Sequence, residues 1–180
     1  MTKEIICAGF GGQGVLTAGL ILAEAGYREE MQITWYPSYG SEMRGGTANC
    51  NVKLSDEEIG NPYCSELDVL IAMNEPSIDR FEKMLKPGGW LLYNSDMVSP
   101  EREYREDIQA VAVPANTFAR NANNPKGANI AVLGAFAKKT GIFTADELRG
   151  AVCAFFEKKG KGKYNEKNKA AFDEGYQAMA

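Results

Sequence analysis

The sequence predicts an α/β fold: an open sheet, mostly parallel with one antiparallel edge strand, followed by a helical C-terminal third. Three observations predict it. Short apolar runs alternate with amphipathic stretches through the first two thirds of the chain. One strand-length segment instead alternates with period two, and beyond Pro114 the apolar positions take helical spacing.

Taken in order, "EIICA" (4–8) reads as a first buried strand, then a glycine turn, then a helix from Gln13 to Arg28. "MQITWYPS" (31–38) is β-branched and aromatic and reads as a second strand. The glycine-flanked loop "YGSEMRGG" (39–46) follows. "TANCNVKL" (47–54) puts Ala48, Cys50, Val52 and Leu54 on one face, the pattern of a half-exposed antiparallel strand at a sheet edge. "LDVLIAM" (67–73) is a continuous apolar run and so a fully buried strand. Glu75 to Leu85 is helical in pattern, "PGG" (87–89) stops it, and "WLLYNS" (90–95) and "QAVAVP" (109–114) supply two more strands. The helical third comprises "ANIAVLGAFAKKTG" (128–141), a helix opened by a Thr144/Glu147 capping box, and a last helix from Glu166 to Met179.

With 180 residues and neither a repeat nor a Pro/Ser-rich linker, a single domain over 1–180 is expected. Hydrophobic residues at 44% and charged residues at 24% are ordinary for a soluble globular protein. A net charge of −4 excludes the basic footprint of non-specific nucleic-acid binding. No apolar run approaches membrane-spanning length and no leader pattern opens the chain, so a cytoplasmic, membrane-free protein is expected. Cys7, Cys50, Cys64 and Cys153 lack CxxC or ferredoxin-type spacing and read as reduced thiols, mostly buried. The chain contains no histidine, which removes Ser-His-Asp and Cys-His catalysis and histidine-based zinc sites.

"GFGGQG" (9–14) has Gly9, Gly11 and Gly14 at GxGxxG spacing between a strand and a helix, with Gly12 and Gln13 between them. Such a turn lets backbone N–H groups approach a phosphate at a helix N-terminus; the plainer reading is a tight turn with close helix–strand packing. Use of NAD further requires an acid at the end of the second strand, where this sequence has "TWYPS". The loop after that strand gathers Ser38, Tyr39, Gly40, Ser41, Glu42, Arg44, Gly45 and Gly46. Arg44 is suited to clamping a phosphate or carboxylate and Glu42 to orienting it, the alternative being a surface ion pair. "RNANNPKGAN" (120–129) offers Asn124, Lys126 and Asn129 as rim contacts or as helix-entry caps. The basic run "EKKGKGKYNEKNK" (157–169) reads as a solvated connection, and Trp35, Tyr36 and Trp90 as core residues.

"GFGGQGV", "YPSYGSEMRGGTANCNVKLS" and "NPKGANIAVLGAF" together closely resemble the gamma subunit of 2-oxoacid:ferredoxin oxidoreductases, over nearly the whole chain. The free-standing form is most similar to the 2-oxoglutarate type, with the branched-chain 2-oxoacid type next. The resemblance implies a Rossmann-like domain and a reaction in which a 2-oxoacid is decarboxylated to an acyl-CoA with electrons passed to ferredoxin. It also implies alpha and beta subunits as partners, with a delta subunit in some complexes. Thiamine diphosphate, Mg and iron–sulphur clusters are then expected on those partners. Coenzyme A is the substrate this chain would contact, with Gly9, Gly11, Gly12, Gln13 and Gly14 as a phosphate rim and Ser38, Tyr39, Gly40, Glu42, Arg44, Gly45 and Asn129 nearby. No catalytic residue and no metal ligand is expected on this chain alone. A homodimer is left open for the isolated chain. A stand-alone nucleotide-binding oxidoreductase and a nucleotide sensor are the alternative readings.

Overall fold

The computed structural model describes residues 1–39 and 47–180. The expectations for Gly40, Ser41, Glu42, Arg44, Gly45 and Gly46 lie outside the described residues. Six strands form one sheet: β1 (Thr2–Phe10), β2 (Gln32–Tyr39), β3 (Thr47–Ser55), β4 (Leu67–Ala72), β5 (Leu85–Asn94) and β6 (Gln109–Val113). Their order is β2-β3-β1-β4-β5-β6. β1, β4, β5 and β6 run parallel, while β3 is antiparallel to both β1 and β2. The helices are α1 (Val15–Arg28), α2 (Glu75–Phe81), α3 (Ala115–Asn121), α4 (Ala128–Thr140), α5 (Ala145–Lys158) and α6 (Asn165–Gln177).

The expected antiparallel strand is present, but it lies one place in from the edge. β2 folds back on it as a hairpin and takes the edge itself. β3 is also buried on both faces rather than half-exposed. Its second face is polar, with Asn49, Asn51, Lys53 and Ser55 all buried, because residues 56–66 cross over it. That crossing is held by hydrogen bonds. Asn51 Oδ1 accepts from Cys64 N at 2.9 Å, and Glu4 Oε2 accepts from Ser65 N and Glu66 N at 2.8 and 3.0 Å. Lys53 Nζ sits 3.3 Å from Glu4 Oε1, so the buried ammonium is paired.

One sheet face carries the main core, in which Ile5, Cys7, Val52, Leu54, Val69, Ile71 and Leu92 pack under α1 and α4, with α5 and α6 outside them. α4 is buried from Asn129 to Ala137, the all-round burial of a central helix. α6 lies so close that a Cβ on Gly175 would fall on the Ala131 carbonyl oxygen. Among the described residues the opposite face is covered by α2, the chain from 96 to 108 and the crossing segment 56–66, through Ile78, Phe81, Val98, Tyr104, Ile108 and Cys64.

Several element limits differ from expectation. α2 ends at Phe81 in a single 3-10 turn, and β5 starts at Leu85. It absorbs "KPGG" as a bulge, with Gly88 at φ +81°. α3 was not expected; Pro114 is its N-cap. The Thr144/Glu147 capping box is present in both directions, at 3.2 and 2.8 Å. Tyr36 is not core: it is 40% exposed, with its ring against Tyr63 at 4.7 Å.

Candidate functional site

The carboxyl ends of β1, β2, β4, β5 and β6 meet at one rim of the sheet, where ligands of open α/β sheets gather. The turn after β1 is built by three different constraints on glycine. A Cβ on Gly9 would lie 2.6 Å from Gln13 Oε1 and 2.9 Å from Val15. Gly12 sits at φ +91° facing open space. Gly14, at φ +73°, is the N-cap of α1 and presses on Asn129. Gly11 is exposed beside Gly12.

Gln13 and Asn129 reach this rim but turn their amides into the protein. Gln13 Oε1 accepts from Phe10 N at 2.7 Å and Asn74 Nδ2 at 2.9 Å, while its Nε2 donates to Met73 O at 3.1 Å. Asn129 is buried, donates to Gly14 O at 3.1 Å and accepts from Ile130 N at 3.0 Å. Both therefore act by positioning the turn rather than as free donors to a ligand. Asn74 and Asn94, which the sequence reading missed, extend this bracing. Asn74 caps α2 at Ser77 N, and the fully buried Asn94 accepts from Ala115 N at the start of α3. The signal available in the sequence was Asn-Glu-Pro directly after a strand, an N-cap followed by Pro in the first turn.

α1 itself begins without a side-chain cap and with no acid in its first turn. Val15, Leu16 and Thr17 instead line a cavity of about 310 Å³ together with Phe10, Gly11, Gly12, Gly14, Tyr39 and Ala48. An uncapped N-terminus of a fourteen-residue helix carries partial positive charge and unpaired N–H donors, which suits an anionic oxygen. Tyr39 reaches this cavity, but strand alternation sends Ser38 to the other sheet face, opposite Asn49. Asn124 donates to Asn168 and closes the turn before α4, while Lys126 is exposed. The basic run is exposed through Lys163, with Lys158 paired to Glu24 at 2.8 Å.

Three of the thiols are held protonated and so are poor nucleophiles. Cys7 is held well above its ordinary range by its contact with Cys50 and by burial. Burial, reinforced by Glu4, pushes Cys64 up to about 12, and burial also raises Cys153. Among the described residues no three acids, cysteines or histidines cluster as metal ligands, and no helix is long and apolar enough to cross a membrane.

A family profile described as "Pyruvate ferredoxin/flavodoxin oxidoreductase" matches residues 4–178. The ketoisovalerate oxidoreductase subunit VorA of Methanothermobacter marburgensis is 42% identical over 156 residues, 86% of this chain but 32% of its own length. The chain thus spans about a third of that relative. The crystal structure of the gamma subunit of a keto/oxoacid ferredoxin oxidoreductase from Geobacter sulfurreducens superposes with a TM-score of 0.80 at 31% identity, covering 97% of this chain and 96% of that one. A 2-oxoglutarate:ferredoxin oxidoreductase from Magnetococcus marinus, with 2-oxoglutarate, coenzyme A and succinyl-CoA bound, has a TM-score of 0.83 over 99% of this chain and 32% of its own. At 24% identity that likeness speaks for the fold alone.

Proposed function

The chain belongs to the pyruvate ferredoxin/flavodoxin oxidoreductase family, and from that premise we propose that it is the gamma subunit of a multi-subunit 2-oxoacid:ferredoxin oxidoreductase. In this reading it forms one wall of the coenzyme A site and helps hold the complex together. The electron-carrying clusters, the thiamine diphosphate and its Mg belong to alpha, beta and, where present, delta partners, with ferredoxin as acceptor. The 2-oxoacid is 2-oxoglutarate or a branched-chain 2-oxoacid.

One observation supports the coenzyme A assignment: the uncapped, acid-free N-terminus of α1 opens on a cavity lined by Tyr39 at the end of β2 and Ala48 near the start of β3. Coenzyme A brings a pyrophosphate and a 3′-phosphorylated ribose, anions that such a helix end favours and that a rim carboxylate would repel. The cavity is bounded by Tyr39 and Ala48, the residues that flank the segment containing Arg44. Arg44, in the segment that joins β2 to β3, is the candidate for a bidentate phosphate contact on the chemistry of its guanidinium. Gln13 and Asn129 support the reading from behind, since they fix the backbone that would meet the phosphate.

The test is the Arg44→Ala variant in the complex reconstituted from all its subunits. Viologen reduction is followed against coenzyme A, with 2-oxoglutarate and 2-oxoisovalerate compared as oxoacids. The expected result is an apparent Michaelis constant for coenzyme A raised about tenfold, the effect of losing one charge-assisted contact. Unchanged coenzyme A dependence and unchanged assembly would remove Arg44 from the site.

A further inference from the structure

Cys7 on β1 and Cys50 on β3 stand directly opposite one another in the antiparallel ladder, and both are completely buried. Opposed residues of such a ladder project to the same face with Cα atoms about 4.5–5.5 Å apart, inside the range of about 4.4–6.8 Å that a disulfide spans. The two side chains meet in a hydrogen bond within the main core. α1 closes over them through Gly19, where a Cβ would overlap Cys50 Sγ. The pair also adjoins the rim cavity. Cys50 Sγ donates to Val15 O at 3.5 Å, and Ala48 lies two positions before Cys50 on the same face of β3. Val15 and Ala48 both line the cavity of about 310 Å³, so Cys50 lies directly behind its wall. The other two thiols are placed differently: Cys64 belongs to the core on the opposite sheet face, and Cys153 lies on α5.

We propose that Cys7 and Cys50 are a redox-active dithiol, oxidised to a cross-strand disulfide by a small peroxide that enters through the rim cavity. A buried thiol is ordinarily inert; this pair differs in having a resolving partner already in place behind a thin wall. Cys50, on the cavity side, reacts first. Its sulfur takes one peroxide oxygen, an S–O bond forming as the O–O bond breaks, which leaves a sulfenic acid and one water. The Cys7 sulfur then displaces that oxygen: the S–S bond forms, the S–O bond breaks, and the departing hydroxide leaves with the Cys7 proton as a second water. Two thiols thus lose two electrons, and one peroxide is reduced to two waters. The contact with Cys50 is the largest cause holding Cys7 protonated. Conversion of Cys50 to the sulfenic acid removes that cause at the step in which Cys7 must react. β1 runs into the glycine turn, and β3 leaves the segment containing Arg44. The disulfide therefore ties together the two strands that lead to opposite walls of the cavity.

The test uses the whole folded chain, reduced, freed of reductant and exposed to a few equivalents of hydrogen peroxide. Remaining thiols are alkylated and the products mapped by non-reducing tryptic digestion. The four cysteines fall in four different tryptic peptides, 4–28, 45–53, 54–80 and 150–158, so each pairing has its own product. The expected product joins 4–28 to 45–53, is released by dithiothreitol, and leaves Cys64 and Cys153 alkylated. The oxidised chain is expected to unfold at higher urea than the reduced one, because the bond closes a long loop in the unfolded chain. Cys7→Ser removes the resolving thiol, so dimedone should trap roughly tenfold more sulfenic acid at Cys50 than in the unaltered chain. Circular dichroism establishes that this variant is folded, and the mapping of the unaltered chain decides the matter without it. Free thiols at Cys7 and Cys50 after treatment, a link between other cysteines instead, or a 4–28/45–53 link that forms only in urea would each overturn the proposal. So would dimedone capture in the folded Cys7→Ser chain no greater than in the unaltered one. None of these outcomes bears on the coenzyme A assignment, which is read from Arg44 in the assembled enzyme.

Discussion

Replacing Gly14 with Ala tests the construction of the turn most directly. Two costs can be separated. Gly14 has φ +73°, where an L-residue costs about 1–2 kcal/mol. In addition, the new Cβ would land within 2.8 Å of Asn129 Cγ and displace a side chain that is only 7% exposed. A displaced Asn129 loses its bond to Gly14 O and leaves buried donors unpaired, about 1–3 kcal/mol more. The expected destabilisation is therefore about 2–5 kcal/mol, the sum of the two. Gly12→Ala is the internal control: φ is +91° but no atom lies within 4 Å of the added carbon, so only the backbone cost of about 1–2 kcal/mol applies. The decisive step is the double variant. Asn129→Ala removes the two nearest atoms and leaves the Cβ of residue 129, at 3.2 Å, so Gly14→Ala in that background should cost little more than Gly12→Ala. The coupling should then be about 1–3 kcal/mol, read from urea unfolding followed by far-UV circular dichroism. Additive effects of Gly14→Ala and Asn129→Ala would refute the claim that Asn129 enforces glycine at 14.

Two further results are expected from the isolated chain. Gln13→Leu removes the acceptor for Phe10 N and Asn74 Nδ2 and the donor to Met73 O, so unfolding should become about 2–3 kcal/mol easier; Gln13→Glu should recover part of this by restoring the acceptor, and equal losses in both variants would contradict the bonding described. Stability should also fall in alkali: Cys64 is raised from 9.0 to about 12 in the folded chain, so its contribution is complete below about pH 9 and is lost as pH climbs towards 12. Burial raises Tyr104 in the same direction. Cys64 adds a slope of about 1.4 kcal/mol per pH unit above its unfolded value, and Cys64→Ala should lessen it. Urea midpoints that stay level from pH 8 to 11 would show that this thiol is not held protonated by its burial.

The order of strands and helices was legible because apolar runs and glycine breaks are local signals. "LDVLIAM" and "WLLYNS" each became a central parallel strand, and the Thr144/Glu147 pair opened a helix where the sequence places it. The position of β3 was not legible. Period two distinguishes the faces of a strand but not its neighbours, and the polar face of β3 looked solvent-exposed when it is in fact covered by residues 56–66. The 7-residue helix α3 was hidden for a related reason: Ala115 to Asn121 carries few apolar residues, and its entry is organised by Asn94, twenty-one positions earlier. At the candidate site, the glycines and Asn129 were found by pattern, but their division of labour was not. Which glycine bears a positive φ and which one a close neighbour depends on side chains distant in sequence.

The strand order also explains why a dinucleotide-type turn occurs here without the acid that usually accompanies it. In dinucleotide-binding domains the second strand neighbours the first, so an acid at its end stands beside the glycine turn and meets the ribose. Here the antiparallel β3 lies between β1 and β2, placing the end of β2 two strand spacings away, about 9.6 Å. An Asp or Glu at that end would be too short to serve a ribose held at α1. What crosses the gap is Tyr39, a longer side chain, passing over Ala48 to the same cavity. The missing acid is thus a consequence of topology and not merely of one substitution. The N-terminus of α1 is left without a side-chain cap or a first-turn acid, and the segment that carries Arg44 connects β2 to β3, the strand lying between β2 and the glycine turn. A first strand flanked by an antiparallel neighbour is thus the topological reason why the proposed anion site at α1 needs no ribose-binding acid at the end of β2.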